Sequence, residues 1–379
     1  VQDIARDEGW SQAHARQVIE AGPYLADEAV AAGLVDGALD RYELDAPLEA
    51  LQGAALPRLE AIEPRAPRDW GGARRIGVVV VDGTLVDGRN QDIPFVGIHT
   101  SGGQTIVEAI EGLAADPSIG AIVLRVDSPG GSVLASDQIW RALRRARRRK
   151  PVIASMGAVA ASGGYYVASA ADEIWADPAT ITGSIGIFFG KVDFSALAER
   201  LGVRIEHLRR GPHAGAESLF RPFTPVERAL LVEKVRRWYR LFLRRVATGR
   251  GLPVARVHEL GQGRVYSGDR ALRLGLVDRL GGFDSALSRA RRLARLSDEA
   301  AVILLPRRPE HLLEYVLGQG PGAQLALGAL DEEGPAAQGR SAPTLLPLEL
   351  RRAAELAMVL GHTREGIPMA LMPAYLESE

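Results

Sequence analysis

Residues 121–132 read AIVLRVDSPGGS, and residues 152–165 read VIASMGAVAASGGY. Each stretch opens as a mostly apolar run and closes in a glycine-rich turn. Such runs are expected as strands buried on both faces, here over Ala121–Val126 and Pro151–Met156. In parallel α/β folds, sites form at the carboxyl ends of strands. The turns at 127–132 and 160–165 both occupy that place.

Outward from these two strands the pattern alternates. Ile76–Val81 and Glu173–Ala176 read as further strands. Thr105–Leu113, Ser132–Arg148, Phe194–Leu201, Pro225–Ala247, Pro253–Leu260, Gly268–Leu274 and Asp284–Leu296 read as helices, and Ser162–Ala170 as a short helix of small residues. Alternating β and α elements predict an α/β fold with mostly parallel strands. Residues 318–343 are rich in Gly, Ala and Pro and are expected as loop, whereas Leu345–Leu360 is expected to be helical, with a packing or assembly role.

An ungapped internal repeat sits at an offset of 242 residues, aligning Ala5–Asp36 with Ala247–Asp278. Gly9 matches Gly251, Tyr24 matches Tyr266, Asp27 matches Asp269, and Gly33-Leu34-Val35-Asp36 matches Gly275-Leu276-Val277-Asp278. The later copy closes a unit running from about Arg74, while the earlier copy has almost nothing before it. The expected organisation is therefore the tail of a first repeat at 1–60, a complete unit at 74–299 and a C-terminal extension at 300–379.

Composition excludes several functions. The chain has 379 residues, a net charge of −1 and no cysteine, which removes bulk electrostatic binding of nucleic acid, disulfide scaffolds and thiolate zinc sites. The arginine-rich stretch 141–150 is short and balanced by acidic residues elsewhere, as a solvated helix end would be. There is no HExxH motif and no Walker-type loop, so no metal or nucleotide cofactor is expected. No apolar run is long enough to span a bilayer.

The two turns carry the candidate chemistry. Pro129-Gly130-Gly131 lets the backbone take positive φ and approach a ligand closely. Ser162 stands at a helix start among small residues, and Gly163 leaves room for a tetrahedral centre. One N–H from each turn would make an oxyanion hole, in which a single donor is worth about 3–4 kcal/mol. Tight turns with a helix-capping serine would look the same from sequence alone.

The segments DSPGGSV (127–133), SMGAVAASGGYYVA (155–168), TGSIGIF (182–188) and GQGRVYSGDRALRLGLVD (261–278) resemble, in order and spacing, the signal peptide peptidase A family of serine peptidases. The resemblance covers about Arg74 to Leu296 and implies a Clp protease/crotonase-like superhelix of stacked ββα units. It implies a Ser/Lys dyad with Ser162 as nucleophile. Gly163 and Gly131 would be the oxyanion donors, with Gly130 the weaker choice, and Ser184 would orient the lysine. It also implies an apolar peptide substrate, such as a signal peptide remnant, and assembly of copies into a ring or dome. Location at the bacterial inner membrane, facing the periplasm, would come through an anchor upstream of Val1.

The lysine is where this sequence departs from the single-repeat pattern. The only lysines are Lys150, Lys191 and Lys234, and none falls at the expected place, where Ala214 stands beside His213. The long, two-repeat type keeps its lysine in the first repeat and its serine in the second. The expectation is that the base comes from the upstream repeat and that this chain alone is inactive. His213 is the candidate substitute base, whereas His99, His207 and His258 show no partner spacing. Two other readings stay open: an inactive scaffold that keeps the fold and assembly, and a crotonase-like acyl-CoA enzyme, for which no acidic pair is evident.

Overall fold

Arg75–Asp82 (β1, RIGVVVVD) is buried along most of its length, as its unbroken apolar run requires. In the computed structural model, which describes residues 1–22, 24–39, 47, 50, 74–93, 98–209, 211–306 and 369–371, β1 lies inside a largely parallel sheet. Its neighbours are Ile119–Ser128 (β5) on one side and Val302–Leu305 (β12) on the other, both parallel. Beyond β5 comes Val152–Ala161 (β7), again parallel. Alternate residues of these strands face opposite ways. Ile76, Val78, Ala121, Val123 and Ile153 pack on Ala286, Leu287 and Ala290 of the helix Phe283–Ala294. The helix Gly103–Ala115 packs against β1 and β5 and against the helix Val133–Ala146.

The chain divides into two compact units, Val1–Arg68 with Ile205–Ala216, and Asp69–Arg204 with Glu217–Glu379. The second unit is built from ββα repeats. After β1 the chain turns at Gly83 into Thr84–Val86 (β2), and after β5 it turns at Pro129 into Gly130–Ser132 (β6). The short strands leave the central sheet and pair with each other, Leu85 opposite Gly131, in a second sheet. That sheet also contains Asp92–Ile93 (β3), Ile98–Gly102 (β4) and Met369–Leu371 (β13), in the order β13-β6-β2-β4-β3. This is the alternation that the resemblance implied.

Two differences from the sequence reading stand out. The β7 strand runs to Ala161, not Met156, because a bulge rather than a turn follows the apolar run. Val302–Leu305 pairs with β1, so the central sheet continues past residue 299. The expectations for 318–343 and 345–360 lie outside the described residues.

The bulge decides where β7 ends. Val126 pairs with Met156 but Ser128 pairs with Ala160, so β7 carries two residues more than β5 at this point. Asp127 holds them: its carboxylate accepts the Val159 N–H at 3.0 Å and the Ala158 N–H at 3.4 Å. A Cβ at Gly157 would lie 2.5 Å from the same carboxylate, so only glycine fits. The sheet also forks here. Residues before the bulge pair with Glu173–Ala176 (β8), and residues after it with Ile181–Gly183 (β9).

The internal repeat is structural as well as sequential. Numbered in chain order, the helices of the first copy are Gln2–Asp7 (α1), Gln12–Ala21 (α2) and Ala26–Ala31 (α3). At the same offset the second copy has the end of helix Pro225–Arg250, then Val254–Leu260, then Gly268–Arg273. Gly9 and Gly251 both take left-handed φ, 67° and 64°, as do Gly33 and Gly275, at 71° and 78°. The Tyr24 hydroxyl donates to the Val18 carbonyl at 2.6 Å, and the Tyr266 hydroxyl to the Leu260 carbonyl at 2.8 Å. Both residues of the second contact sit 242 positions after those of the first.

A buried ion pair ties the helix Val133–Ala146 to Pro225–Arg250. Asp137 accepts from Arg245 Nε at 2.7 Å, from the Tyr166 hydroxyl at 2.8 Å and from Arg141 Nε at 2.7 Å. Burial pushes its carboxyl up, and the hydrogen bonds and charges of Arg245, Arg141 and Tyr166 outweigh that and hold it below its usual value. Asp137→Ala leaves the part-buried Arg245 guanidinium and the buried Tyr166 phenol without their acceptor, and the expected loss is about 1–3 kcal/mol in urea unfolding. A loss below about 1 kcal/mol would contradict this account of the contact. At the start of Pro225–Arg250, Glu227 closes a capping box with Thr224. The Arg221 guanidinium beside it holds its carboxyl down at about 2, against burial, with help from Thr224. A depressed carboxyl gives stability that is present above its unfolded value and is lost as pH falls towards 2. Glu227→Gln is therefore expected to flatten the decline of stability between about pH 5 and pH 2. An unchanged slope would remove Glu227 from that decline.

Candidate active site

The β7 strand delivers Ser162 directly into the helix Gly163–Ala168. Ser162 has φ 51° and ψ −114°, which an L-residue adopts only under constraint. The constraint is visible on both sides. Its N–H donates to the Gly183 carbonyl at 2.8 Å, and its carbonyl accepts the Tyr166 N–H at 2.8 Å. A serine on a sharp strand-to-helix turn of this kind presents its hydroxyl clear of its own backbone.

The two glycine-rich turns meet at Gly163. A Cβ there would lie 3.1 Å from Gly131 N, 3.1 Å from Gly130 Cα and 2.8 Å from Ser136 Oγ. Any side chain would therefore press the turns apart. Gly131 is fixed by a closer approach still: with φ 152°, its Cβ would stand 2.0 Å from the Leu85 carbonyl oxygen. The Gly130 N–H donates to Ser128 Oγ at 3.2 Å, so its donor is already engaged. Of the two glycines the sequence singled out in this turn, Gly131 is thus the better oxyanion donor. Ser136 donates to the Ser132 carbonyl at 2.7 Å, and Ser132 caps its helix through the Ala135 N–H.

Ser184 arrives from β9. Thr182 anchors that strand by donating to the Ala160 carbonyl at 2.7 Å, and Gly183 pairs with Ala161. Ser184 has φ 49°, and its N–H donates to the Arg264 carbonyl at 2.7 Å. The ends of β7 and β9 thereby place Ser162 and Ser184 side by side in the fold. Both residues are buried, and neither Oγ has a hydrogen-bond partner. A buried hydroxyl without a partner is costly, and such groups concentrate where chemistry is done.

The lysines are committed elsewhere. Lys150 donates to the carbonyls of Leu113 and Asp116. Lys191 donates to the Ser218 carbonyl and lies 4.1 Å from the centre of the Phe223 ring. Lys234 lies 4.9 Å from the centre of the Trp238 ring. His213 belongs to the unit formed by Val1–Arg68 and Ile205–Ala216, whereas Ser162 belongs to the other. His258 is bonded to the Tyr239 hydroxyl at 3.0 Å, His99 lies in β4, and His207 is exposed.

Three supporting residues escaped the sequence reading: Asp127, Ser136 and Thr182. Asp127 carried a usable signal, an aspartate at a strand end just before a turn, where its side chain can accept backbone N–H groups. Ser136 and Thr182 carried none, since each acts on a carbonyl brought near by the fold. Among the described residues there is no cluster of metal-ligating side chains, and no helix is long and apolar enough to cross a membrane.

The model of Peptidase family S49 matches residues 144–297. The chain is 38% identical over 238 residues to a chloroplastic serine protease SPPA of Arabidopsis thaliana, covering 60% of this chain and 35% of that protein. It is 36% identical over 280 residues to Protease 4 of Haemophilus influenzae, covering 71% and 44%. It is 36% identical over 198 residues to a putative protease of Synechocystis sp., covering 52% and 72%. The chain thus spans less than half the length of the first two of these relatives and more than two thirds of the third. By these matches the chain belongs to peptidase family S49, the signal peptide peptidase A family.

Proposed function

We propose that this chain carries the nucleophile half of a serine peptidase. The observation behind this reading is Ser162 itself. It is a strained, buried serine with an unpartnered hydroxyl, followed by a glycine packed so closely on the Gly131 backbone that a methyl group would crowd it. In the reaction, Ser162 Oγ attacks the scissile carbonyl while its proton passes to a base. The carbonyl oxygen becomes an oxyanion stabilised by the N–H groups of Gly131 and Gly163. The oxyanion collapses, the C–N bond breaks and the amine leaves with the proton held by the base; water, deprotonated by the same base, then attacks the acyl-serine ester and releases the new carboxylate and the Ser162 hydroxyl.

The base in this proposal is a lysine amine contributed by the first repeat, whose closing portion is residues 5–36. The engagement of Lys150, Lys191 and Lys234 elsewhere supports that source. A lysine accepts the proton only when neutral, which a dry setting such as that around Ser162 and Ser184 favours. Ser184 would orient that amine. The substrates are apolar peptides such as remnants of cleaved signal peptides, met at the inner membrane in the cell envelope. Copies of the protein assemble into a ring or dome, a form of confinement inferred from the family resemblance.

The test is hydrolysis of a fluorogenic apolar peptide by three proteins: this chain, the chain extended upstream through a full first repeat, and the extended chain with Ser162→Ala. Cleavage is expected only from the extended wild type. Cleavage by this chain alone would point to a local base such as His213. No cleavage by any of them, over several peptide lengths, would favour the inactive scaffold. In the extended protein, Gly163→Ala is expected to lower kcat by about 10²–10³, because its methyl presses on Gly131 N. Ser184→Ala is expected to lower kcat with little change in KM. A change confined to KM would reassign Ser184 to substrate binding.

A further inference from the structure

The loop 261–264 clasps the segment that carries Ser184. The Ser184 N–H donates to the Arg264 carbonyl at 2.7 Å, and the Gly263 N–H donates to the Ile185 carbonyl at 3.1 Å. The loop joins the helix Val254–Leu260 to Val265–Ser267 (β10), which pairs antiparallel with β9. Gln262 and Gly263 both take left-handed φ, 61° and 76°. For a glutamine that conformation needs an external hold. The Tyr239 hydroxyl, on the helix Pro225–Arg250, supplies one. It accepts the Gln262 N–H at 3.0 Å and shares a 3.0 Å hydrogen bond with His258 Nδ1. A Cβ at Gly261 would stand 2.9 Å from the same hydroxyl oxygen and 3.2 Å from the Ile185 carbonyl oxygen. The phenol therefore packs directly on the loop, and the loop on the backbone beside Ser184.

We propose that Tyr239 is a positioning residue for the reaction, its hydroxyl setting the loop 261–264 and, through the loop, the place of the Ser184 hydroxyl. This rests on the peptidase reading, in which Ser184 orients the base. Two observations carry it. The first is continuity. The Tyr239 hydroxyl holds Gln262, the Arg264 carbonyl holds Ser184, and both held residues sit at positive φ, Ser184 at 49°. Such strained points persist only where their surroundings fix them. The second is the internal repeat. The two copies share their left-handed glycines and their tyrosine contact, yet they part at this loop. Ile19, Glu20, Ala21 and Gly22 stand where the later copy has Gly261, Gln262, Gly263 and Arg264. There α2 runs on to Ala21, and Gly22 takes φ −63°. A loop needed only to close the fold would serve both copies. The copy that carries Ser162 and Ser184 has instead a strained loop pinned by a tyrosine.

Precise placement matters here because a base must meet the Ser162 hydroxyl at hydrogen-bond distance. A misplacement of about 1 Å can cost about 10²-fold in rate. Loss of the Tyr239 hydroxyl leaves β10 paired with β9, Val265 opposite Gly183 and Tyr266 opposite Thr182. The loop is therefore expected to shift rather than unfold, and the effect to fall on kcat and not on KM.

The experiment has two arms, both built on Tyr239→Phe, which keeps the ring and removes the hydroxyl. The first uses this chain and needs no base. Amide hydrogen exchange at Ser184 is expected to speed about tenfold in the variant, with exchange in β1 and β5 unchanged. Unchanged exchange at Ser184 would overturn the inference, and so would faster exchange throughout the central sheet, which would mark a general role in stability. The second arm uses the chain extended upstream through a full first repeat. There Tyr239→Phe is expected to lower kcat about tenfold with KM unchanged. The double variant Tyr239→Phe, Ser184→Ala is expected to match Ser184→Ala alone within about twofold, because both changes act through one hydroxyl. Two effects that multiply, or a kcat equal to that of the wild type, would overturn the proposal. Failure of the peptidase reading looks different: the extended wild type itself does not cleave, and the exchange arm still decides whether Tyr239 holds Ser184.

Discussion

The Asp127 carboxylate gathers the N–H groups of a two-residue bulge in β7, and the position of Ser162 follows from that contact. Without the bulge, β7 would stay in register with β5 and Ser162 would arrive two residues late. With it, the last residues of β7 lean onto β9, the Ser162 N–H finds the Gly183 carbonyl, and the chain is forced through a positive φ into the next helix. Strain of this kind costs about 1–3 kcal/mol and persists only where the surroundings over-determine it. Here they do. Gly157 can lie only against Asp127, Gly163 only against Gly131, and Gly131 only against Leu85. Three glycines at which a methyl group would crowd its neighbours help to fix the geometry of one serine.

Much of this was legible in the sequence, for reasons of differing strength. Buried parallel strands announce themselves as unbroken apolar runs, so β1, β5 and β7 could be read directly. The glycine-rich turns marked the ends of β5 and β7. The repeat at 5–36 and 247–278 was legible because its marks are backbone requirements: left-handed glycines at helix ends and a tyrosine hydroxyl reaching a carbonyl six residues back. What escaped notice depends on distant pairing. Val302–Leu305 is a strand because β1 offers it an edge, and no local pattern in a four-residue run reveals that. The bulge was invisible because MGAVAA reads as well for a turn as for a strand. Ser184 was legible through resemblance, and the structure supplies its physical setting, a buried hydroxyl at the end of β9.

On the proposed reading, the site offers a nucleophile and an oxyanion hole, and the side-chain hydroxyls of Ser162 and Ser184 both lack hydrogen-bond partners. The energetics of such a site are lopsided. Holding an oxyanion between two backbone N–H groups needs only the fold, which brings the proposed donors, Gly131 and Gly163, together. Activating the serine needs a base of matched pKa, and the three lysines of this chain already make other contacts. If nucleophile and base are divided between two repeats as proposed, activity is conditional on their correct assembly.

The most direct test of the central claim is to ask which atom is nucleophilic. The chain joined to its full first repeat would be treated with an apolar peptidyl fluorophosphonate, which phosphonylates an activated serine with loss of fluoride, and the adduct would be located by mass spectrometry of proteolytic fragments. The account requires a single adduct on Ser162, lost when the base lysine of the first repeat is replaced. An adduct on another serine, or none while peptide cleavage continues, would contradict it.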